Sequence, residues 1–272
     1  MKEKFKQFLI KNNGTGVISF FRYLKRMTHK IMRFFKNIFS NFKKAISYLR
    51  RPEVIRKYLK SHTVRKLQVG GGKNILKGWL NTDLIPSSSE TIIFDVTKPF
   101  CFEDETFDYI FCEHMIEHLN YNQGQNMVKE CFRVLKKGGK LRISTPDLQV
   151  YLDCFNDNKS QVQKQYLNWL GNNWLKRAGI RTYNEIFALN LIMHGWGHKF
   201  VYDYKTLTDA LAEAGFTKIV KVSAKSSDDE HLSNIEMHGD SIKNIKGIEK
   251  HFGSEIDNKM NEFSSLTIEA LK

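Results

Sequence analysis

The sequence lacks the features that would place a chain across a membrane or in an oxidising compartment. No uninterrupted apolar run approaches the roughly 20 residues of a membrane-spanning helix, and no cleavable signal pattern is present. The four cysteines form no C-x-x-C pair, so we expect reduced thiols rather than a disulfide framework. These absences predict a cytoplasmic protein without a membrane-spanning helix.

Motifs that hold nucleotide phosphates are absent or incomplete. No G-x-x-x-x-G-K-[ST] run occurs, which argues against an ATP-hydrolysing phosphate loop. The dinucleotide pattern G-x-G-x-x-G also fails, because Ile75 stands where a third small residue is needed. Asp83 follows Gly70 by thirteen positions, whereas the ribose-binding acid of that pattern follows by about 20. The sequence therefore argues against NAD.

Positive charge is concentrated at one end of the chain. The 272 residues carry a net charge of +14, but residues 1–66 hold nineteen Lys and Arg against two acidic residues, a net of +17. From Phe20 to Leu49 the apolar residues return every three or four positions, which predicts an amphipathic helix. We expect residues 1–62 to form a basic helical arm. It either lies on an anionic membrane surface or packs against its own domain or a partner.

A strand followed by glycines is the feature around which the rest of the chain is organised. Residues 64–69 include β-branched and aliphatic residues that suit a short buried strand. Gly70, Gly71 and Gly72 follow it directly. Without a Cβ, a glycine backbone lets polar groups of a ligand reach the N–H groups. The pattern predicts a turn that cradles a nucleotide-like ligand, although a simple tight turn has the same sequence.

Four further strands follow and alternate with helical sequence. They are predicted at Trp79–Asp83, Thr91–Asp95, Phe107–Cys112 and Lys140–Thr145. Apolar residues at helical spacing predict a helix over Gln125–Lys137. This alternation indicates a parallel sheet with helices on its faces, and ligands of such sheets lie beyond the carboxyl ends of the strands. The residues that fall at that edge are Gly70–Gly72, Asp83, Asp95 and Glu113.

Glycine and proline predict where helices end. Gly138-Gly139 is expected to stop the helix that begins at Gln125. Arg51-Pro52-Glu53 predicts a break before a last short helix of the arm. Thr206–Gly215 is predicted as a helix that ends at its glycine, with a strand through Val222 after it.

Two segments interrupt this pattern. Residues 148–203 are aromatic and mostly helical in character, and we expect them to form a cap over the strand ends. Their aromatic residues include Tyr151, Tyr166, Trp169, Trp174, Tyr183, Phe187 and Trp196. Residues 223–262 are polar and poorly periodic, which predicts a long surface excursion before a last strand at Ser265–Ala270.

The motifs between Leu67 and Asp147, taken in order, resemble one known family. They are Gly70-x-Gly72, Gly78-Trp79-Leu80-Asn81, Pro99-Phe100, Phe107-Asp108, Glu113-His114-Met115-Ile116-Glu117-His118, Arg133 to Gly139 and Pro146-Asp147. The chain resembles the class I S-adenosylmethionine-dependent methyltransferases, in particular type 11-like enzymes of bacterial surface-polysaccharide synthesis. The resemblance implies an α/β, Rossmann-like, doubly wound and mostly parallel seven-stranded sheet. Its last strand would be antiparallel, and the helical cap and the N-terminal arm would be added to it.

The same resemblance implies a cofactor and the residues that bind it. S-adenosylmethionine would place its methionine part against Gly70 and Gly72, its ribose on Asp83, and its adenine near Asp95 and Val96. A carboxylate suits the two ribose hydroxyls because hydrogen bonds to a charged group are the stronger kind. The cofactor-binding residues expected in this way are Gly70, Gly71, Gly72, Asp83, Asp95, Val96 and Glu113.

Histidines supply the candidates for proton removal from an acceptor. We expect His114 or His198 to be the catalytic base, because histidine titrates near neutral pH. His118 and His194 are weaker candidates, and each of these histidines could instead have a structural role. The spacing in Glu113-His114-Met115-Ile116-Glu117-His118 does not by itself bring three or four ligands together. No metal site is therefore expected.

Three hypotheses about function remain open from the sequence. The leading one is a methyltransferase domain over residues 63–272 that modifies a small or saccharide-type acceptor at the cytoplasmic face of a membrane. The second is an RNA or other nucleic-acid methyltransferase whose basic aromatic arm holds phosphates and stacks bases. The third is a cofactor-binding protein of the same fold without catalysis.

Overall fold

A computed structural model describes most of the chain. The described residues are 15–176, 178–182, 184–237 and 255–272, without the side chains of 15–24 and 36–43. Predictions that concern residues 1–14, Tyr183 or residues 238–254 lie outside this description. The chain forms two compact units, one that ends at Leu49 and one from Arg50 to Lys272.

Seven strands in the second unit form one sheet. They are β1 Lys66–Val69, β2 Leu80–Asp83, β3 Thr91–Ile93, β4 Phe107–Glu113, β5 Leu135–Pro146, β6 Thr217–Val222 and β7 Ser265–Leu271. Their spatial order is β3-β2-β1-β4-β5-β7-β6. The pairs among β1 to β5 are parallel, and β7 runs antiparallel to both β5 and β6. This confirms the predicted fold class, including the antiparallel last strand.

Helices flank the sheet and form the cap. They are α1 Thr15–Ser61, α2 Tyr121–Val134, α3 Leu148–Asp153, α4 Gln161–Leu170, α5 Glu185–His194, α6 Tyr204–Ala214 and α7 Glu255–Phe263. Helix α2 begins at a capping box in which Asn120 and Gln123 satisfy each other's backbone N–H groups. Helix α6 ends at Gly215, whose φ of 107° lies in the left-handed region that glycine adopts freely. Short 3-10 turns, Ile116–His118 and Gly195–Gly197, follow β4 and α5.

The strand order fixes where a ligand lies. From β1 the chain moves outward through β2 to β3, and it then returns to place β4 on the other side of β1. The crevice of such a sheet opens where the strand order reverses, beyond the carboxyl ends of β1 and β4. Gly70 follows β1 there, and β4 ends there with Glu113.

The main core lies on both sides of the central strands. Leu67, Val69 and Ile110 are fully buried, and they pack with the apolar face of α2. The last turns of α1 join this core through Tyr58, whose hydroxyl accepts the Lys66 N–H at 2.8 Å. A separate apolar cluster forms the inside of the cap, with Tyr151, Tyr166, Leu170, Leu175, Ala188, Ile192, Val201 and Met260 at its centre.

Two predicted helix ends are wrong. Helix α2 ends at Val134, not at Gly138-Gly139, because Leu135 already pairs with Phe107 of β4 and the glycines lie inside β5. The Gly138 N–H donates to the carbonyl of Lys272, so this glycine takes part in the pairing of β5 with the chain after β7. Helix α1 also runs through Pro52 without a break. Proline removes one helical hydrogen bond, and at an exposed turn water can satisfy the carbonyl concerned.

The prediction of a surface excursion over residues 223–262 is wrong in its described parts. Leu232 and Ile235 are buried, and they pack with Trp79 and Phe111 on the sheet. The buried Arg142 guanidinium pairs with Glu236 at 2.5 Å and with Glu269 of β7. Residues 255–263 form α7, which buries Met260 in the cap. The many polar residues of this segment hold it to the sheet by ion pairs and hydrogen bonds.

Candidate active site

The glycine turn after β1 has a backbone that only glycine adopts readily. Gly70 and Gly72 have φ values of 70° and 57°. A Cβ added to Gly70 would lie 2.3 Å from Cγ of Met115. The turn is also tied to β2, because the Gly71 N–H donates to the carbonyl of Thr82 at 2.9 Å. Glycine is therefore required at position 70 by both conformation and space, and at position 72 by conformation alone.

Asp83 holds this turn in place. Its Oδ2 accepts the Gly72 N–H at 2.9 Å, and its Oδ1 accepts the Ile85 N–H at 2.8 Å. Each carboxylate oxygen has two lone pairs, so Asp83 keeps acceptor capacity for hydroxyl groups of a ligand. The carboxylate thus has a structural role in the turn that the sequence did not reveal.

Asp95 and Val96 lie just beyond β3, next to the end of β2. Oδ1 of Asp95 accepts hydrogen bonds from the backbone N–H and the hydroxyl of Thr97 at 3.0 Å and 2.6 Å. Val96 packs against the main core. The Phe94 N–H donates to the carbonyl of Asp83, which keeps the two acidic residues at one edge of the sheet.

A cavity of about 360 Å³ opens above the ends of β1 and β4. One side is the glycine turn, Gly70 to Asn74. The ionisable side chains that line it beyond the turn are Glu113, His114, Glu117, His118 and His198. An aromatic wall faces them, formed by Tyr151, Tyr166, Trp169, Trp174 and Trp196. Of the predicted site residues, Gly70, Gly71, Gly72, Glu113, His114 and His198 line this cavity, whereas Asp83, Asp95 and Val96 do not.

His114 is part of a buried ion pair. Its Nδ1 lies 3.2 Å from Oε1 of Glu117, and its Nε2 lies 3.2 Å from the Ser265 hydroxyl. Burial opposes the charged imidazolium, but the hydrogen bond and the charge of Glu117 outweigh it and raise the pKa of His114. Burial likewise opposes a charged Glu117, and the hydrogen bond from His114 lowers the pKa of that carboxyl. The His114 backbone, with φ of 45°, is held in the left-handed region.

His198 has a different environment. Its Nδ1 lies 2.6 Å from the carbonyl oxygen of Ile192, which only accepts hydrogen bonds, so Nδ1 carries the proton and Nε2 has a lone pair. Burial lowers the pKa of His198. The ring makes an edge-to-face contact with His118 at a centroid distance of 5.0 Å. The sequence contained no signal that these two histidines, eighty residues apart, would meet.

Two further cavity residues were not predicted from the sequence. Asn261 lines the cavity from α7, in the segment predicted to be a surface excursion, and Ser264 lines it from just before β7. Ile256, Met260 and Phe263 return at helical spacing, and this was the available signal for α7. Glu113 accepts the Met237 N–H at 3.0 Å and 3.1 Å, so the same segment also reaches the end of β4.

One family model and several solved structures are similar to parts of this chain. Residues 77–143 match the family model of a methyltransferase domain. No curated protein matches the chain. Similar solved structures include a SAM-dependent methyltransferase from Archaeoglobus fulgidus, with 16% identity over 86% of this chain and 94% of that one, at a TM-score of 0.41. Another, from Thermotoga maritima, has 15% identity over 91% and 96%, at 0.42.

A third similar structure is a SAM-dependent methyltransferase from Mesorhizobium loti, with 13% identity over 82% of this chain and 97% of that one, at a TM-score of 0.44. The matched segment runs from just before β2 into β5 and contains the end of β4. It lies in the sheet that carries the glycine turn, with the strand order described above. The match to a methyltransferase domain, in a sheet of this strand order, supports methyl-transfer activity with S-adenosylmethionine as the cofactor.

Proposed function

We propose that the protein transfers the methyl group of S-adenosylmethionine to a hydroxyl of a saccharide-type acceptor. The observation that carries this proposal is the composition of one cavity, in which the glycine turn, a group of ionisable side chains and an aromatic wall face the same space. A sugar ring has C–H faces that pack on aromatic rings, and its hydroxyls point outward to polar groups. Trp174 and Trp196, with ring centroids 5.0 Å apart, form a corner suited to such a ring.

The charge of the cavity favours a neutral acceptor over a nucleic acid. Lys73 is the one lysine or arginine among the described residues that line it, whereas Glu113 and Glu117 are both acidic. Proteins that bind RNA or DNA gain most of their affinity from Lys and Arg on phosphates. Two carboxylates oppose a phosphate backbone, and they favour the cationic sulfonium of the cofactor. The acceptor that fits is an uncharged, hydroxylated molecule.

The chemistry needs an acceptor oxygen next to the methyl group, with its proton removed. Methyl transfer is an in-line displacement, so positioning supplies much of the rate. Of the two predicted catalytic histidines, His198 is better suited to contact the acceptor. The hydrogen bond from its Nδ1 to the Ile192 carbonyl leaves the Nε2 lone pair available to accept a proton. His114 has both ring nitrogens near partners and is suited to holding Glu117.

The proposal is tested with cofactor that carries a tritiated methyl group. The purified protein is first titrated with S-adenosylhomocysteine by calorimetry, and we expect one binding site per chain. It is then incubated with labelled cofactor and separated cell fractions: saccharides, RNA, lipids and proteins. Label in the saccharide fraction supports the proposal. Label confined to RNA would overturn the acceptor assignment, and the absence of cofactor binding would overturn the function as a whole.

A second proposal concerns the basic arm, for which we infer an anionic membrane surface as the partner. Met27, Ile31 and Phe34 lie on one face of α1 at helical spacing, and Ile31 and Phe34 are 49% and 62% exposed. Arg26 and Lys30 lie beside this face. Exposed apolar side chains flanked by basic ones are typical of helices that lie in the lipid interface. No helix among the described residues is long and apolar enough to cross a bilayer.

Vesicles that contain anionic lipid test this surface. The full chain should sediment with such vesicles, and Ile31→Asp with Phe34→Asp should weaken binding by at least about 10-fold, because burying one large apolar side chain contributes about 1.5–3 kcal/mol. Thr28→Asp with His29→Asp is the matched control, since it adds the same two charges at exposed polar positions. Equal losses in both variants would indicate charge alone, and binding of RNA but not of vesicles would contradict the inference.

A further inference from the structure

Three potential metal ligands converge among the residues that line the cavity. The ligand atoms of Glu117, His118 and His198 all lie within 4.8 Å of one another. Ligands arranged tetrahedrally at about 2.1 Å from one ion are about 3.4 Å apart, so side-chain shifts of up to about 1 Å would bring the three atoms to that geometry. The three groups come from the 3-10 turn after β4 and the loop after α5.

The surroundings of the three side chains are those of ligands held ready for an ion. Nδ1 of His198 is bonded to the Ile192 carbonyl, which directs the Nε2 lone pair away from that carbonyl. Oε2 of Glu117 accepts the Thr145 hydroxyl at 3.1 Å, and Oε1 is held by His114. Metal-binding histidines and carboxylates are commonly oriented by such outer hydrogen bonds. Among the described residues, the ring nitrogens of His118 have no hydrogen-bond partner.

Backbone strain accompanies this arrangement. Trp196 has φ of 51°, although its side chain disfavours the left-handed region, and Gly197 has φ of 85°. These two residues bring His198 back toward His118. Strained residues cost of order 1–3 kcal/mol and persist where the surrounding structure fixes them, often at functional sites. The loop therefore has a conformation whose evident result is the meeting of the two histidines.

The geometry points to a binding site for a divalent first-row transition-metal ion, with Glu117, His118 and His198 as ligands. Two imidazoles and one carboxylate suit ions such as Zn²⁺, Mn²⁺ or Fe²⁺, and three protein ligands leave coordination positions for oxygens of the acceptor. This inference rests on the proposed function for the identity of the acceptor, but the ion site itself does not depend on it. Sequence spacing alone predicted no metal site. The proposed site differs from that prediction because its third ligand, His198, comes from a loop that is remote in the sequence.

An ion at this place would activate the acceptor. A hydroxyl that coordinates it would lose its proton to water more easily, since a bound cation lowers the pKa of a coordinated oxygen. The oxygen would then form a bond to the methyl carbon while the carbon–sulfur bond breaks and its electron pair stays on sulfur. The products are the methyl ether, neutral S-adenosylhomocysteine and one proton released to solvent. Two neighbouring hydroxyls of one sugar could occupy two open positions, which would orient the ring against the aromatic wall.

Direct metal titration tests the site without any acceptor. The full chain, freed of affinity tags and treated with a chelator, is titrated with Zn²⁺ by calorimetry and with Co²⁺ by visible absorption. We expect one ion per chain and a Co²⁺ spectrum of nitrogen and oxygen ligation. His118→Ala and His198→Ala should each weaken Zn²⁺ binding by at least about 100-fold, because even outer-sphere partners are worth 10–100-fold.

His194→Ala is the matched control, since His194 is exposed at the end of α5, close in sequence to His198. It should leave metal affinity unchanged. Titration of each variant with S-adenosylhomocysteine shows whether it is folded and whether the cofactor half is intact. A parent protein that binds cofactor but no ion, or His118→Ala and His198→Ala variants that keep full affinity for Zn²⁺, would overturn the inference. A parent that binds no cofactor would instead contradict the proposed function.

Discussion

The two halves of the cavity are built in different ways. The cofactor half consists of the glycine turn and the ends of β1 and β4, with Asp83 of β2 holding the turn, and all of these lie within residues 66–113. The acceptor half combines the turn at Ile116–His118 with the cap and with α7, which lie far apart in the sequence. The carboxyl ends of neighbouring parallel strands lie side by side because the hydrogen bonds of the sheet align the strands. The acceptor half depends on packing between separate helices, so it can vary without a change in the sheet.

Of the changes considered, His198→Ala should have the largest effect on one half of the cavity without affecting the other. If His198 acts on the acceptor, as a ligand or as a base, turnover of the labelled acceptor should fall by roughly 10²–10⁴. Affinity for S-adenosylhomocysteine should remain unchanged, because the glycine turn is untouched. His194→Ala should keep normal turnover. A His198→Ala variant with normal turnover would show that positioning alone suffices for methyl transfer.

The converse change is Gly70→Ala. The new Cβ would meet the Met115 side chain at 2.3 Å and occupy a φ of 70°, so we expect affinity for S-adenosylhomocysteine to fall by about 100-fold or more, given a strain of 1–3 kcal/mol together with the clash. Gly78→Ala is the matched control, because Gly78 also has positive φ, 75°, but no atom lies within 4 Å of its added Cβ. Calorimetry and melting curves of both variants separate binding from stability. Equal affinities in the two variants would contradict the placement of the cofactor at Gly70.

Asp83 provides a further test of the cofactor half. Asp83→Ala should weaken S-adenosylhomocysteine binding at least about 10-fold, because a hydrogen bond to a charged group contributes about 1.5–3 kcal/mol. Asp83→Asn keeps an oxygen for the Gly72 N–H but removes the charge. A loss of similar size in Asp83→Asn, with the melting temperature of the parent protein retained, indicates that the carboxylate binds the ribose. A loss confined to Asp83→Ala would mean that Asp83 acts only through the turn.

The smallest effect is expected at the aromatic wall. Trp174→Ala should raise KM for the saccharide acceptor about 10-fold. One stacking contact, together with the apolar area that it buries, contributes roughly 1–2 kcal/mol to the free energy of binding. Turnover at saturating acceptor and affinity for the cofactor should change little. Initial rates over a range of acceptor concentrations provide the measurement. A change in turnover without a change in KM would place Trp174 in catalysis rather than in binding.

The sequence predicted the cofactor half more fully than the acceptor half, for a physical reason. β1, its glycines and Asp83 are near neighbours in the chain, so local pattern is enough to place them. The end of α2 was missed because Leu135 pairs with Phe107, a contact between residues distant in sequence. Helix α7 was missed because its polar residues face other parts of the protein, as Asp257 does when it accepts the Trp169 indole N–H at 2.6 Å. The meeting of His118 with His198 depends on the whole cap.

The contact between Met115 and Gly70 has a consequence for the enzyme under oxidative stress. The sulfur of Met115 lies 3.6 Å from the place where a Cβ of Gly70 would stand, and oxidation to the sulfoxide adds an oxygen and a dipole to that side chain. We expect mild peroxide to impair cofactor binding, and bound S-adenosylhomocysteine to slow the oxidation of Met115 in peptide mass spectra. Met115→Leu should keep binding after the same treatment. A single methionine would thus make methyl transfer depend on the redox state of the cell, and methionine sulfoxide reductases could restore it.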